Sequence, residues 1–123
     1  MNPLNILTID DDALIGQVIN VFVRQLGHSS VHINNGREAL ERYRRDSFDL
    51  VLVDRIMPNM DGLETTRQLR EIQQESGWRP IIMLSGASDI GEQVLALNSG
   101  CDDFLAKPIN FSILEAKINS FWR

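Results

Sequence analysis

Leu50-Val51-Leu52-Val53-Asp54, with the segment that follows it, Arg55-Ile56-Met57-Pro58-Asn59-Met60-Asp61-Gly62, decides how this chain folds. Four consecutive strand-forming apolar residues without polar alternation suit a strand covered on both faces, as central strands of parallel sheets are. The carboxylate that ends the run is then held at the sheet rim, where a buried strand meets water. Other apolar runs end in the same manner. Ile6-Leu7-Thr8-Ile9 precedes Asp10 and Asp11, Ile81 to Leu84 precedes Ser85, and Phe104-Leu105-Ala106 precedes Lys107.

Between these runs lie segments of helical period, and that alternation predicts a parallel sheet with helices on both faces. The first strand is expected at about Asn5 to Ile9. The first helix follows at about Ala13 to Leu26, with Ile15, Val18, Ile19, Phe22 and Leu26 as its apolar stripe and Gly27 at its end. A half-polar run from Ser30 to Ile33 suits an edge strand. A second helix, about Arg37 to Asp46, buries little beyond Ala39, Leu40 and Tyr43. The third helix, about Leu63 to Glu75, turns Leu63, Leu69 and Ile72 inward. Asp89 with Glu92 resembles a capping box opening a fourth helix that Gly100 closes. Strand five runs from about Asp103 to Ala106. Asn110 then caps a fifth helix facing the core through Leu114, Ile118 and Phe121 or Trp122. Right-handed crossovers make this an open doubly wound sheet over residues 1–123, and such sheets bind ligands beyond the carboxyl ends of their strands. Asp10, Asp11, Asp54, Ser85 and Lys107 all fall at such ends. Three carboxylates, a hydroxyl and an ammonium gathered on one rim can hold a divalent cation and accept a phosphoryl group.

The bulk properties narrow the functional classes. A chain of 123 residues is long enough to bury a real core as one domain. One cysteine, Cys101, excludes an internal disulfide and fits a reducing compartment; at a strand start it reads as a core filler. No apolar stretch approaches the roughly 20 residues that span a bilayer, and the N-terminus lacks the basic segment of a signal peptide, so the cytoplasm is the expected location. A net charge of −5 argues against direct contact with nucleic acid. The basic clump Arg42-Tyr43-Arg44-Arg45, interleaved with acids, reads as a solvated helix face.

The acidic pair Asp10-Asp11, the segment Asp54-x-x-Met57-Pro58-x-Met60-Asp61-Gly62, Ser85, Phe104 and Lys107-Pro108 together resemble the receiver domain of bacterial response regulators. The resemblance covers essentially the whole chain. It implies a flavodoxin-like α/β fold with strand order 2-1-3-4-5, and a role as a switch in two-component signalling and phosphorelays. Asp54 would take a phosphoryl group from the phosphohistidine of a sensor kinase or histidine phosphotransfer protein, with Mg²⁺ required. Asp11 and Asp54 would ligate the ion, the backbone carbonyl of Ile56 would be a third ligand, and Asp10 would act directly or through water. Without metal the crowded acids should repel, raising at least one pKa. Lys107 would pair with Asp54 at rest and with a phosphoryl oxygen afterwards, and Ser85 would donate its hydroxyl to another. The family's cis peptide at Lys107-Pro108 would aim the lysine into the site.

In this family the hydroxyl residue, here Ser85, moves toward the phosphoryl group and the aromatic, here Phe104, rotates inward. The surface of helix four, strand five and helix five then meets an output domain or downstream protein. Leu97, Phe104, Ile113 and Lys117 are the residues expected on that surface. Ser85 replaces the commoner threonine and Phe104 the commoner tyrosine. Ile56 and Ala87 are apolar where the family controls access of water to the phosphoryl group, which suggests slow self-dephosphorylation. Ile113 stands where one DNA-binding subfamily often carries an acid used in dimer salt bridges; that dimer mode is not assigned, and a homodimer stays open.

Taken singly, these residues have plainer readings. Asp11 or Asp12 could cap the first helix and Asp61 the third. Asp102-Asp103 reads as a solvated turn, Arg55 as surface, and Met57 and Met60 as loop packing. Two other functions compete: a hydrolase using Asp10 as nucleophile, and a receiver-like docking module that is never phosphorylated. The order of Asp102-Asp103 before Lys107 argues against the hydrolase.

Overall fold

Among residues 2–86 and 90–122, which the computed structural model describes, five strands alternate with five helices. They are β1 (Asn5–Ile9), α1 (Ala13–Gln25), β2 (Ser29–Ile33), α2 (Gly36–Arg45), β3 (Leu50–Asp54), α3 (Gly62–Ser76), β4 (Ile81–Ser85), α4 (Ile90–Asn98), β5 (Asp103–Ala106) and α5 (Phe111–Phe121). The sheet order is β2-β1-β3-β4-β5, with every neighbouring pair parallel. This is the flavodoxin-like order expected from the sequence.

Side chains alternate across a strand, so each strand feeds two cores. Leu7, Ile9, Val51, Val53, Ile81 and Met83 face α2, α3 and α4, packing with Leu40, Leu69 and Ala96. Ile6, Leu50, Leu52, Ile82, Leu84 and Leu105 face the other way, onto Ile19 and Val23 of α1 and Leu114 and Ile118 of α5. All of β3 is buried, which is why that run contains no polar residue before its last position. The two edges are β2 and β5, each only partly buried.

Short polar side chains start the helices where the strands leave off. Asp12 accepts from the N–H groups of Leu14 and Ile15, Asn35 from Glu38, Asp61 from Glu64, and Asn110 from Ile113. Each satisfies backbone donors that a helix leaves unpaired at its first turn. Asp89, the expected cap of α4, lies outside the described residues, as does Ala87.

Two expectations need correction. Val18 is 44% exposed and does not belong to the inner stripe of α1; Val23 is fully buried in its place. Val18 is one residue, roughly 100° round the helix, from Ile19, which leaves it on the flank. Asp102-Asp103 is not a free solvated turn. Asp102 accepts from the Ile81 N–H (2.8 Å) and from Arg70 (2.7 Å), and Asp103 pairs with Lys117 (2.7 Å).

Candidate functional site

The parallel sheet brings the ends of β1, β3, β4 and β5 to one rim, and the polar residues that end them converge. Asp10 follows β1 and is fully buried. Its Oδ1 accepts from the Asp12 N–H at 2.9 Å, and its Oδ2 accepts from Lys107 Nζ at 3.0 Å. Asp54 ends β3, 7% exposed, with Oδ1 3.1 Å from the same Lys107 nitrogen. Asp11, exposed, completes an acidic trio: one carboxylate oxygen from each of Asp10, Asp11 and Asp54 lies within 4.8 Å of the others. Ser85 ends β4 and is buried, and its carbonyl accepts from the Lys107 N–H at 2.7 Å. The Lys107-Pro108 peptide is cis.

The crowding shifts the ionisation of these groups. Burial, and then the neighbouring Asp10 charge, push the Asp54 carboxyl up to about 6, and Lys107 only partly offsets them. Lys107 itself is held above the usual lysine range: burial works against its charge, but Asp10 and Asp54 outweigh it. Three ionised carboxylates and one ammonium leave a formal charge of −2 in a pocket that water reaches mainly at Asp11. An acidic oxygen cluster of this kind is what a hard divalent cation requires.

The loop after β3 is folded tightly against its own strand. The Gly62 N–H donates to the Arg55 carbonyl at 3.0 Å, and a Cβ on Gly62 would overlap the backbone oxygen of Asp54. Glycine is therefore required at the start of α3 for space. Met57 is buried in the core and Met60 packs against it, as loop packing predicts, whereas the Ile56 side chain is 71% exposed. Arg55 is not a surface residue. Its side chain is largely buried, 3.5 Å from Asp61 and 3.3 Å from Glu92, and so ties the loop to the cap of α3 and to α4. Phe104 is half-buried against the core next to Met83, its partner in the β4–β5 register.

Sequence reasoning missed two groups. Arg70 donates to the Gly100 and Arg79 carbonyls, both at 2.8 Å, and pairs with Asp102, bracing α3 against the start of β4 and β5. No local pattern marks it, because its partners lie up to 32 positions away. The second is an apolar surface beside the rim. Leu14 and Val21 of α1 are 71% and 56% exposed, and with Val18 they border a groove of about 430 Å³ that reaches Phe111. An adjoining cleft of about 280 Å³ runs past Lys107, Pro108 and Ile109. An outward stripe on α1 was there to be read at Leu14, Val18 and Val21. Cys101 is buried, which pushes its thiol up to about 11, as suits a core filler.

Comparison with known proteins agrees with this geometry. The chain matches the response regulator receiver domain family over residues 6–119. It is 36% identical over 120 residues to the response regulator MprA of Mycobacterium leprae, covering 98% of this chain and 51% of that protein. The chain thus spans about half the length of the relatives it matches. Among solved structures, the receiver domain of the Francisella response regulator 1452 superposes with a TM-score of 0.88 at 30% identity, covering 98% of this chain and 97% of that one. The receiver domain of Saccharomyces cerevisiae Ssk1, crystallised with the histidine phosphotransfer protein Ypd1, superposes with a TM-score of 0.90 at 26% identity, covering 97% and 88%. No helix among the described residues is long and apolar enough to cross a membrane. A five-stranded sheet in the order 2-1-3-4-5, an acidic rim at its carboxyl edge and a family match across nearly the whole chain have one meaning: this chain belongs to the response-regulator receiver domains of two-component signalling.

Proposed function

We propose that Asp54 is the phosphoacceptor of a magnesium-dependent signalling switch. The observation that carries this reading is the sharing of Lys107 Nζ between Asp10 and Asp54, at 3.0 and 3.1 Å, beside a third carboxylate. A carboxylate is a weak nucleophile, but phosphoryl transfer asks mainly for alignment and neutralisation of charge. An oxygen of Asp54 attacks the phosphorus of a phosphohistidine; the P–N bond breaks, and the imidazole leaves with the electron pair and takes up a proton. The product is an acyl phosphate on Asp54.

Asp10, Asp11 and Asp54, with the carbonyl of Ile56, would hold Mg²⁺, which when bound neutralises charge on the transferring phosphoryl oxygens. Lys107 supplies the fixed positive charge on the other side. It sits within reach of the acceptor already, so little reorganisation is needed as charge moves onto the phosphoryl group. Ser85 donates to a further oxygen. The donor is a sensor histidine kinase or histidine phosphotransfer protein. The exposed Leu14, Val18 and Val21 beside the rim suit an apolar partner surface, and the yeast receiver that superposes on this chain was crystallised with such a protein.

Phosphorylation adds roughly one to two negative charges next to Ser85, and the response passes to the surface of α4, β5 and α5. Leu97 and Ile113 are both 47% exposed there, with Phe104 half-buried between core and surface. That face would meet an output domain or a downstream protein. The test is incubation with acetyl phosphate and Mg²⁺, followed by borohydride reduction and mass spectrometry. The label is expected on Asp54 and is lost in Asp54→Asn. A label on Asp10, or none from either acetyl phosphate or a phosphorylated histidine phosphotransfer protein, overturns the proposal.

A further inference from the structure

His32, on the edge strand β2, has no place in the switch described so far, yet it reaches into the acidic rim. Its Nε2 lies 2.7 Å from the backbone oxygen of Asp10. A carbonyl oxygen only accepts, so Nε2 carries the proton and donates. The neighbouring residue of β2 grips the same residue from the other side, since the Asp10 N–H donates to the Ile33 carbonyl at 3.1 Å. Both backbone groups of Asp10 are therefore fixed from β2, and both its carboxylate oxygens are fixed from elsewhere, by the Asp12 N–H and Lys107.

Gly16 explains how the ring gets there. Glycine is a poor helix former, and Gly16 lies inside α1, where nothing in the backbone calls for it. A Cβ at this position would fall inside the imidazole of His32, against Nε2, Cε1 and Cδ2. The ring crosses α1 over the one residue without a side chain. Gly16 and His32 are thus two halves of one arrangement, and its polar outcome is the bond to the Asp10 carbonyl.

That carbonyl belongs to the planar peptide joining Asp10 to Asp11. Fixing its oxygen fixes the direction in which the chain enters Asp11, the exposed member of the trio. We infer that His32 is a positioning residue for the cation site: its hydrogen bond, made over Gly16, holds the Asp10–Asp11 peptide so that the Asp11 carboxylate stays within reach of Asp10 and Asp54. The inference rests on the proposed reading that these three acids bind a divalent cation. Groups that orient metal ligands in this indirect way commonly set affinity by an order of magnitude.

Mg²⁺ titration of the whole chain, followed by amide NMR shifts at residues 10–12 and 54–56, tests this alongside urea unfolding in EDTA. His32→Ala is expected to weaken Mg²⁺ binding about tenfold. His32→Gln, whose amide can donate the same bond, is expected to recover most of that loss. Gly16→Ala displaces the ring and should weaken Mg²⁺ binding as His32→Ala does. In the double variant the new methyl has space: affinity should fall no further than in His32→Ala, and the urea midpoint should rise above that of Gly16→Ala. If the wild type shows no shifts at these residues, the cation reading falls and the inference with it. If the wild type binds and His32→Ala binds as tightly, or His32→Gln is as weak as His32→Ala, the inference alone falls.

Discussion

Replacing Asp54 by asparagine should stabilise the metal-free protein, although it removes the group on which the proposed function depends. The Asp54 carboxyl titrates at about 6, against 3.8 for an ordinary aspartate, because burial and the Asp10 charge disfavour its ionised form. A folded-state pKa raised above the unfolded value contributes stability that is full below the unfolded pKa and lost as pH rises through the folded one. The loss therefore falls between about pH 4 and pH 6, and at 1.36 kcal/mol per unit it amounts to roughly 2–3 kcal/mol. Asparagine has the shape of the protonated acid and carries no charge, so the variant escapes the loss. In EDTA at pH 7.5, Asp54→Asn should melt above the wild type by about 8–12 °C, taking about 4 °C per kcal/mol for a domain of this length. Near pH 4 the two should melt together.

Magnesium should close the gap. A ligand present at a hundred times its dissociation constant adds about 2.7 kcal/mol to the state that binds it. The wild type gains this with all three carboxylates, whereas the variant offers two and an amide. Differential scanning calorimetry at pH 4 and 7.5, with EDTA or Mg²⁺, measures all four differences. An Asp54→Asn variant no more stable than wild type at pH 7.5 in EDTA, or equally favoured at both pH values, would refute the reasoning, because the advantage must come from charge.

Lys107→Met leaves Asp10 and Asp54 buried without their shared cation and should cost about 3 kcal/mol at pH 7.5 in EDTA. The cost should shrink near pH 4, where Asp54 is protonated; urea midpoints at the two pH values check this. Gly62→Ala drives a methyl into the backbone of Asp54 and should cost about 3 kcal/mol, a loss that no change of pH relieves. Arg70→Met removes the brace to Gly100, Arg79 and Asp102, leaving Asp102 with the Ile81 N–H and the Arg79 carbonyl with Gln73, and should cost about 2 kcal/mol. Labelling of Asp54 by acetyl phosphate should then be unchanged below the melting transition, since Arg70 lies at the opposite end of the strands.

Four of the five strands were legible as short, mostly apolar runs leading into a polar residue, and that ending also marked the rim; β2 was legible as the half-polar edge. Five side chains far apart in sequence were predicted to share one edge, and parallel pairing brings them to it. What escaped the sequence has a common physical origin. Val18 and Val23 are equally apolar, and only the angle at which α1 lies on the sheet decides which is buried. Arg55, Arg70 and Asp102 look like ordinary surface charges, because their partners belong to other helices and loops. His32 and Gly16 are separately unremarkable, and their meaning lies in the contact between them.

The same arithmetic that predicts a stabilising Asp54→Asn would also account for the rim acting as the proposed switch. A well-balanced ion cluster would hold its charge at little cost and would gain little from any further ion or group. Here one ammonium faces three carboxylates, and the imbalance is borne by Asp54, the residue most easily neutralised. The unfavourable charge sits at the end of β3, whose remaining residues are all buried in the two cores, and a bound cation would relieve it without unfolding them. In the proposed switch, binding of a cation and transfer of a phosphoryl group would both change the charge at that point; Leu84 of β4 lies in register with Asp54, and the next residue, Ser85, pairs with Ala106 of β5. A few kcal/mol of imbalance is the scale on which a two-state surface can be biased. A receiver whose resting rim was electrostatically content would have little with which to drive the change.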